Sequence, residues 1–168
     1  MFNLSIKSSI QDYDVFFSQT AYQTLNDEHN PDDVIFVDKN VFCHLNDDMK
    51  RMITARKHIF IEATESQKSY TALAPIIEQL IESQFRKNDR LICIGGGITQ
   101  DITAFIASIM YRGVEWLFFP TTLLAQADSC IGGKTSINIG KFKNQLGNFY
   151  PPRKIFIIPE FLKSLPVS

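Results

Sequence analysis

RLICIGGGITQDITAFIASIMYRGVEWLFFP, residues 90–120, decides the fold. Arg90 to Ile94 carries a short apolar run directly into Gly95-Gly96-Gly97. From Ile98 to Tyr111 the apolar residues Ile102, Phe105, Ile106 and Ile109 recur at helical spacing, one stripe of an amphipathic helix. Val114 to Phe119 is apolar again, and Pro120 ends it. Strand, glycines, helix, strand is a βαβ unit. Such a unit implies parallel strands, a sheet covered on both faces and a right-handed connection.

The same alternation extends upstream. Val34-Ile35-Phe36-Val37 has the fully apolar pattern of a strand buried on both faces. Asp38-Lys39-Asn40 breaks it, and one helix is expected from Val41 to Ala55. Ile59-Phe60-Ile61 predicts a further strand, Glu62 to Ser69 a polar loop, and Tyr70 to Phe85 a helix with Leu73, Ile76, Ile77, Leu80 and Ile81 inward. Asn3 to Ser8 alternates as a first strand does, and Val15-Phe16-Phe17 ends it or pairs as a second. Beyond Pro120, Leu123 to Ala127 suits a short helix, and short apolar pieces follow at Ile137, Leu146 and Phe149-Tyr150. Lys154 to Ile158 is the expected last strand, and Phe161 to Leu165 a stub of helix. The expectation is a single α/β domain over residues 1–168, with a Rossmann-like, mostly parallel sheet flanked by helices.

Composition sets the boundaries. With 45% apolar and 21% charged residues the chain has the make-up of an ordinary globular protein. Seventeen basic against eighteen acidic side chains leave a formal charge of −1, which gives no basis for nucleic acid or an anionic membrane as partner. No apolar run approaches the roughly 18 residues of a membrane helix, and the N-terminus lacks the pattern of a signal peptide. The three cysteines, Cys43, Cys93 and Cys130, are scattered and odd in number, as in a reducing compartment; the cytoplasm is the expected location.

Chemistry-bearing residues concentrate between positions 95 and 144. The glycine turn sits between a strand end and a helix start, where backbone N–H groups favour phosphate; it reads equally as a tight structural turn. It is not a full dinucleotide fingerprint, because Gln100 occupies the third glycine position. Asp101 is expected in the first helical turn, either as a dipole partner or as a carboxylate facing ribose hydroxyls. Gly132-Gly133-Lys134-Thr135 is no P-loop, since Asp128 stands where its first glycine belongs. His29, His44 and His58 have no ligand spacing, and no nucleophile elbow is present. On spacing alone this is a site for phosphate and polyol.

In order, these pieces resemble 3-dehydroquinate synthase and its relatives, the sugar phosphate cyclases. The shared segments are Gly95-Gly96-Gly97 with Asp101, Tyr111-Arg112-Gly113-Val114, Pro120-Thr121-Thr122-Leu123-Leu124-Ala125-Gln126, Asp128-Ser129 and Gly132-Gly133-Lys134-Thr135. Asn138, Lys143-Asn144, Gly147, Phe149-Tyr150 and the stretch from Phe161 to Pro166 continue the match, without gaps from Glu65 onward. The resemblance covers about the N-terminal half of such an enzyme.

It implies an NAD pocket made by Asp38 and Asn40, Glu65 and Lys68, Gly96, Gly97 and Asp101, Thr121 and Thr122, Lys143, Phe161 and Ser164. It implies substrate-holding roles for Asp128, Lys134 and Asn144, and for Arg112 one that reaches a substrate phosphate across a homodimer interface. The implied reaction belongs to the shikimate route to aromatic amino acids. A heptulosonate phosphate is oxidised at one alcohol with NAD, loses phosphate, regains the hydride and closes to a carbocycle.

A divalent metal, zinc or cobalt, is implied as well, but its glutamate and two histidines belong to a C-terminal helical domain expected beyond Ser168. No metal ligand is therefore expected in this chain, which should be a cofactor-binding half inactive by itself. Two departures stand out: Ile139-Gly140-Lys141-Phe142 replaces the family's His-Pro-Leu-Gly beside the substrate positions, and Ala104 replaces a glycine. A polyol or glycerol-phosphate dehydrogenase domain and a non-catalytic NAD-binding module are the alternatives. Arg112-Gly113, Gly133-Lys134-Thr135 and Lys143-Asn144 argue against the dehydrogenase.

Overall fold

The structure, a computed structural model, describes residues 3–164, with the side chain of Ser164 excluded. In chain order the elements are β1 (Asn3–Ile6), β2 (Tyr13–Phe17), α1 (Ala21–Glu28), β3 (Val34–Asp38), α2 (Lys39–His44), α3 (Asp47–Thr54) and β4 (His58–Ile61). They continue with α4 (Tyr70–Glu82), β5 (Leu91–Gly95), α5 (Gly97–Ile109), β6 (Trp116–Pro120), β7 (Lys134–Ile139), β8 (Phe142–Phe149) and β9 (Lys154–Ile157). A seven-stranded sheet runs β1-β2-β9-β6-β5-β3-β4, and β7 pairs with β8 as a separate hairpin. Only β1 is antiparallel to its neighbour; β2, β9, β6, β5, β3 and β4 are mutually parallel. Both the βαβ unit and the mostly parallel sheet are as the sequence predicts.

Alternation along the central strands builds two cores. Val34, Phe36, Leu91, Cys93, Trp116 and Phe118 face one side, where Leu73 and Leu80 of α4 and Ile102 and Ile106 of α5 cover them. Ile35, Val37, Ile92, Ile94, Leu117 and Phe119 face the other, against Leu25 of α1 and Met49, Met52 and Ile53 of α3. Each such apolar side chain, removed from water, contributes roughly 1.5–3 kcal/mol, which explains why strands with no polar face fold here and nowhere else.

One expectation needs correction, and two elements go beyond what the sequence predicts. The helix predicted over Val41 to Ala55 is two helices: Leu45 leaves the helical region, and Asn46 caps α3 by accepting from Met49 N–H at 2.9 Å. α1 was not foreseen, because only Ala21, Thr24 and Leu25 of its eight residues are buried. The apolar fragments after Pro120 form the β7–β8 hairpin, closed by a two-residue turn with Gly140 at φ +55°. Leu165, the last residue of the expected terminal helix, lies outside the described residues; Pro159–Ser164 forms a 3₁₀ turn.

The order β4-β3-β5-β6-β9 fixes where a ligand belongs. From β3 the chain goes outward to β4, returns to β5 on the other side of β3, and then proceeds to β6 and β9. The crevice between β3 and β5, at their carboxyl ends, is the switch point where doubly wound sheets bind ligands.

Candidate functional site

At the end of β5, Gly95 and Gly96 let the chain pass against its neighbours. A Cβ on Gly95 would lie 2.6 Å from Thr99 Cβ, and one on Gly96 2.9 Å from Thr122 Cγ2. Gly97 differs: it is exposed, and its nearest neighbour would be Ser129 Oγ at 4.0 Å. α5 then starts with Gly96 as N-cap, no side chain capping it and no acidic residue in its first turn. A thirteen-residue helix thus presents its positive end and bare N–H groups at the switch point.

On one side of this turn lies a cleft of about 420 Å³. Val41, Leu45 and Met49 give it an apolar wall, Asn40 and His44 polar edges, and Thr121, Thr122 and Phe161 its far side. Asp38, at the end of β3, is buried and turned to its own backbone, accepting from Asn40 N–H at 2.8 Å and Val41 N–H at 3.4 Å. It shapes the start of α2. Thr122 Oγ1 accepts from Ala125 N–H. Thr121 Oγ1 is buried with no hydrogen-bond partner, a polar atom left over by the fold in the wall of the cleft.

On the other side stands a connected polar network. Lys68, 7% exposed, is ion-paired with Asp101 at 2.6 Å and donates to Asn144 Oδ1 at 2.7 Å. Ser136 donates its N–H to Asp101, and its one hydroxyl hydrogen is shared between Asn144 Oδ1 at 3.0 Å and Asp101 Oδ2 at 3.4 Å. Asn138 donates to Glu65 Oε1 at 2.8 Å and accepts from Asn144 N–H. Asn144 adopts φ +55°, a conformation asparagine tolerates better than most residues, in a strand pair with a register shift at Ile137 and Ile139.

Electrostatics follows the packing. Burial pushes the Asp101 carboxyl up, while Lys68 and the Ser136 hydrogen bonds pull it back. Glu65 is held below the ordinary carboxylate range, first by the Asn138 hydrogen bond and then by the charges of Lys68 and Lys143. Asp101 lies in the second turn of α5, not the first, so its partner is Lys68 rather than the helix dipole.

The remaining expected residues divide. Lys134 opens β7, Lys143 lies in β8 and Asp128 sits in the short π-turn Ala125–Ser129; all three are exposed, and no side-chain hydrogen bond or ion pair engages them among the described residues. Arg112 is exposed too, at φ +65°, but past the far end of α5, about 20 Å along the helix from the glycine turn. Within one chain it is therefore remote from the glycine turn. Ser164 closes the described chain, its side chain outside the described residues. Ser136 and Asn138, buried or half-buried connectors, carry no signal that marks them as site residues in a single sequence. No group of three or more His, Cys, Asp or Glu suited to a metal ion occurs among the described residues. No described helix is long and apolar enough to cross a membrane.

A ligand-ready helix start at the switch point of a parallel sheet, between an apolar cleft and a charged network, is the architecture of doubly wound cofactor-binding domains as a class. The family model for 3-dehydroquinate synthase N-terminal matches residues 58–168, and the chain belongs to that family. A 3-dehydroquinate synthase from Streptococcus pyogenes is 34% identical over 170 residues, 97% of this chain and 47% of that relative. Among solved structures, the 2-epi-5-epi-valiolone synthase ValA from Streptomyces hygroscopicus, with NAD+ and Zn2+ bound, is 26% identical with TM-score 0.80, covering 96% of this chain and 47% of its own. A 2-deoxy-scyllo-inosose synthase complexed with carbaglucose-6-phosphate, NAD+ and Co2+ shares the fold at TM-score 0.82 and 20% identity, over 98% of this chain and 48% of its own. The chain spans about half the length of the curated relatives it matches.

Proposed function

We propose that this chain is the NAD-binding half of a sugar phosphate cyclase of the 3-dehydroquinate synthase type, acting on a heptulosonate phosphate. The uncapped start of α5 carries the reading, placed between the cleft of about 420 Å³ and the Lys68–Asp101–Asn144 network. NAD fits these residues on three counts. Exposed Gly97 leaves room for a pyrophosphate over the bare N–H groups. Thr121 Oγ1 lacks a partner inside the cleft. The apolar wall of Val41, Leu45 and Met49 suits a purine, which leaves the reactive ring for the charged side.

When bound, NAD supplies reversible oxidation of one substrate alcohol. The chain's own residues position and stabilise. Lys68 and Asp101 hold each other in a fixed, half-buried geometry one helical turn from the glycines. Asn144, oriented by Lys68, Ser136 and Asn138, presents its remaining amide donors to a substrate hydroxyl. Exposed Lys134 and Lys143 supply positive charge for carboxylate and phosphate, and Asp128 accepts from hydroxyls. The family resemblance gives Arg112 its role from a second copy, so the proposal includes a homodimer; within one chain α5 holds this residue about 20 Å from the glycine turn. The metal is assigned to the additional length found in the relatives, and turnover to the longer form. Cys93 and Cys130, buried free thiols, suit a cytoplasmic protein.

Calorimetry of this chain with NAD tests the cofactor half of the proposal, and phosphate release by a form extended to the relatives' length tests the reaction. The expected outcome is saturable NAD binding by the short chain, and stoichiometric phosphate release without net NADH by the long one. Net NADH accumulation with a polyol would replace the cyclase by a dehydrogenase, and absence of NAD binding would sink both.

A further inference from the structure

The cleft contains one residue that neither the family resemblance nor the reaction accounts for. His44, the last residue of α2, lines it, and its Nδ1 lies 2.8 Å from the Asn40 carbonyl oxygen. A carbonyl oxygen only accepts, so Nδ1 carries the hydrogen, and the neutral ring offers Nε2 as an acceptor. Nε2 has no hydrogen-bond partner among the described residues. Two other polar groups around the cleft are engaged: Asn46 Oδ1 takes Met49 N–H, and Glu160 Oε2 takes Ala21 N–H.

On the reading that NAD occupies this cleft, we infer that His44 recognises the purine end of the cofactor as a tautomer-fixed hydrogen-bond acceptor. Its partner is an N–H or O–H of adenosine, either the exocyclic amino group or a ribose hydroxyl.

The charged groups around His44 do not offer the same contact. Glu160 and Lys163 line the cleft, Lys50 of α3 donates to the Cys43 carbonyl, Lys39 pairs with Glu62, and Asp47 and Asp48 lie in the first turn of α3. His44 is the only imidazole among the cleft-lining residues.

NAD affinity of the 168-residue chain, His44→Gln and His44→Leu, measured by calorimetry, decides the matter. His44→Leu should bind about fivefold to tenfold more weakly than the wild type, one hydrogen bond's worth of affinity. Its melting temperature should stay close to the wild type because the side chain is exposed. His44→Gln, which keeps an acceptor, should recover most of the affinity. A His44→Leu chain that binds NAD as the wild type does, or a His44→Gln chain that loses as much as His44→Leu, overturns the inference and leaves the cofactor proposal intact. A folded wild type that binds no NAD overturns both.

Discussion

The two ends of the parallel sheet are built from the same residue types to opposite effect. At the amino end of the strands several charges are paired within the chain. Arg90, before β5, grips Asp33, before β3, with Nε at 3.0 Å and Nη2 at 2.6 Å, and also donates to the Glu28 carbonyl. Lys154 of β9 holds both Glu28 oxygens, and Lys57 pairs with Asp32. In the hairpin and the π-turn Lys134, Lys143 and Asp128 stand without side-chain partners among the described residues, and at the carboxyl end of the strands Thr121 keeps an orphan hydroxyl and a helix start lies bare. Polar groups satisfied within the chain build a scaffold; polar groups left over by folding are what a ligand can use.

Arg90→Leu breaks the scaffold end and should have the largest effect. It strands the Asp33 carboxylate, 2% exposed, without its cation, at a cost of about 3–5 kcal/mol by chemical denaturation. NAD affinity of the molecules that remain folded should not change. A loss below 1 kcal/mol, or a specific loss of NAD binding, would mean the two ends are not separable in this way.

Lys68→Met makes the corresponding cut at the site end, and a smaller loss is expected, about 1–3 kcal/mol. The reason is Asp101: burial already pushes its carboxyl up, and removing Lys68 moves it further towards the protonated form, which softens the loss of the cation. Asn144 loses its 2.7 Å donor at the same time, so binding of a sugar phosphate by an extended form should suffer more than stability does. The double variant Lys68→Met with Asp101→Asn should recover part of the stability and none of the binding. Equal losses at Arg90 and Lys68 would say the network is scaffold as well.

The same contrast explains what the sequence could disclose. Strands β3, β5 and β6 are legible because both faces are buried, and apolar runs have no other stable use. The glycine turn and Asp38-Lys39-Asn40 are legible because they sit where those runs stop. α1 and β8 were not, since their stability comes from a few contacts and from backbone pairing: seven of the eight residues of β8 are exposed. The break between α2 and α3 had a signal, Asn46 followed by Asp47 and Asp48, an N-cap with acidic first-turn residues. Roles for Ser136 and Asn138 needed three dimensions, because their partners Asp101 and Glu65 are 35 and 73 positions away.

Adjacent glycines sharpen the comparison within a single turn. Gly95→Ala places a Cβ against Thr99 Cβ and should cost about 1–3 kcal/mol of stability. Gly97→Ala meets nothing closer than 4.0 Å and should leave stability within about 0.5 kcal/mol, yet weaken NAD about tenfold or more by blocking the approach of a phosphate. Thermal melts and NAD titrations of the pair should therefore show opposite patterns. If Gly97→Ala destabilises the chain and spares NAD, the turn is structural and nothing more.

The smallest effect belongs to His29, in the scaffold end. Its ring is held below the ordinary imidazole value, first by burial and then by the charge of Arg56, and its Nε2 is buried without a partner. Because the folded-state value is the lower one, both states are neutral at high pH and the ring contributes no pH dependence there. As the pH falls below the unfolded value near 6.5 the unfolded chain takes the proton first, so stability declines through that window and levels off below the folded value. His29→Gln should flatten this part of the stability–pH curve while leaving NAD affinity unchanged. Stability that rises on acidification through the same range would place a counter-charge beside His29 that outweighs its burial, and the amino end of the sheet would then hold a polar group the scaffold does satisfy.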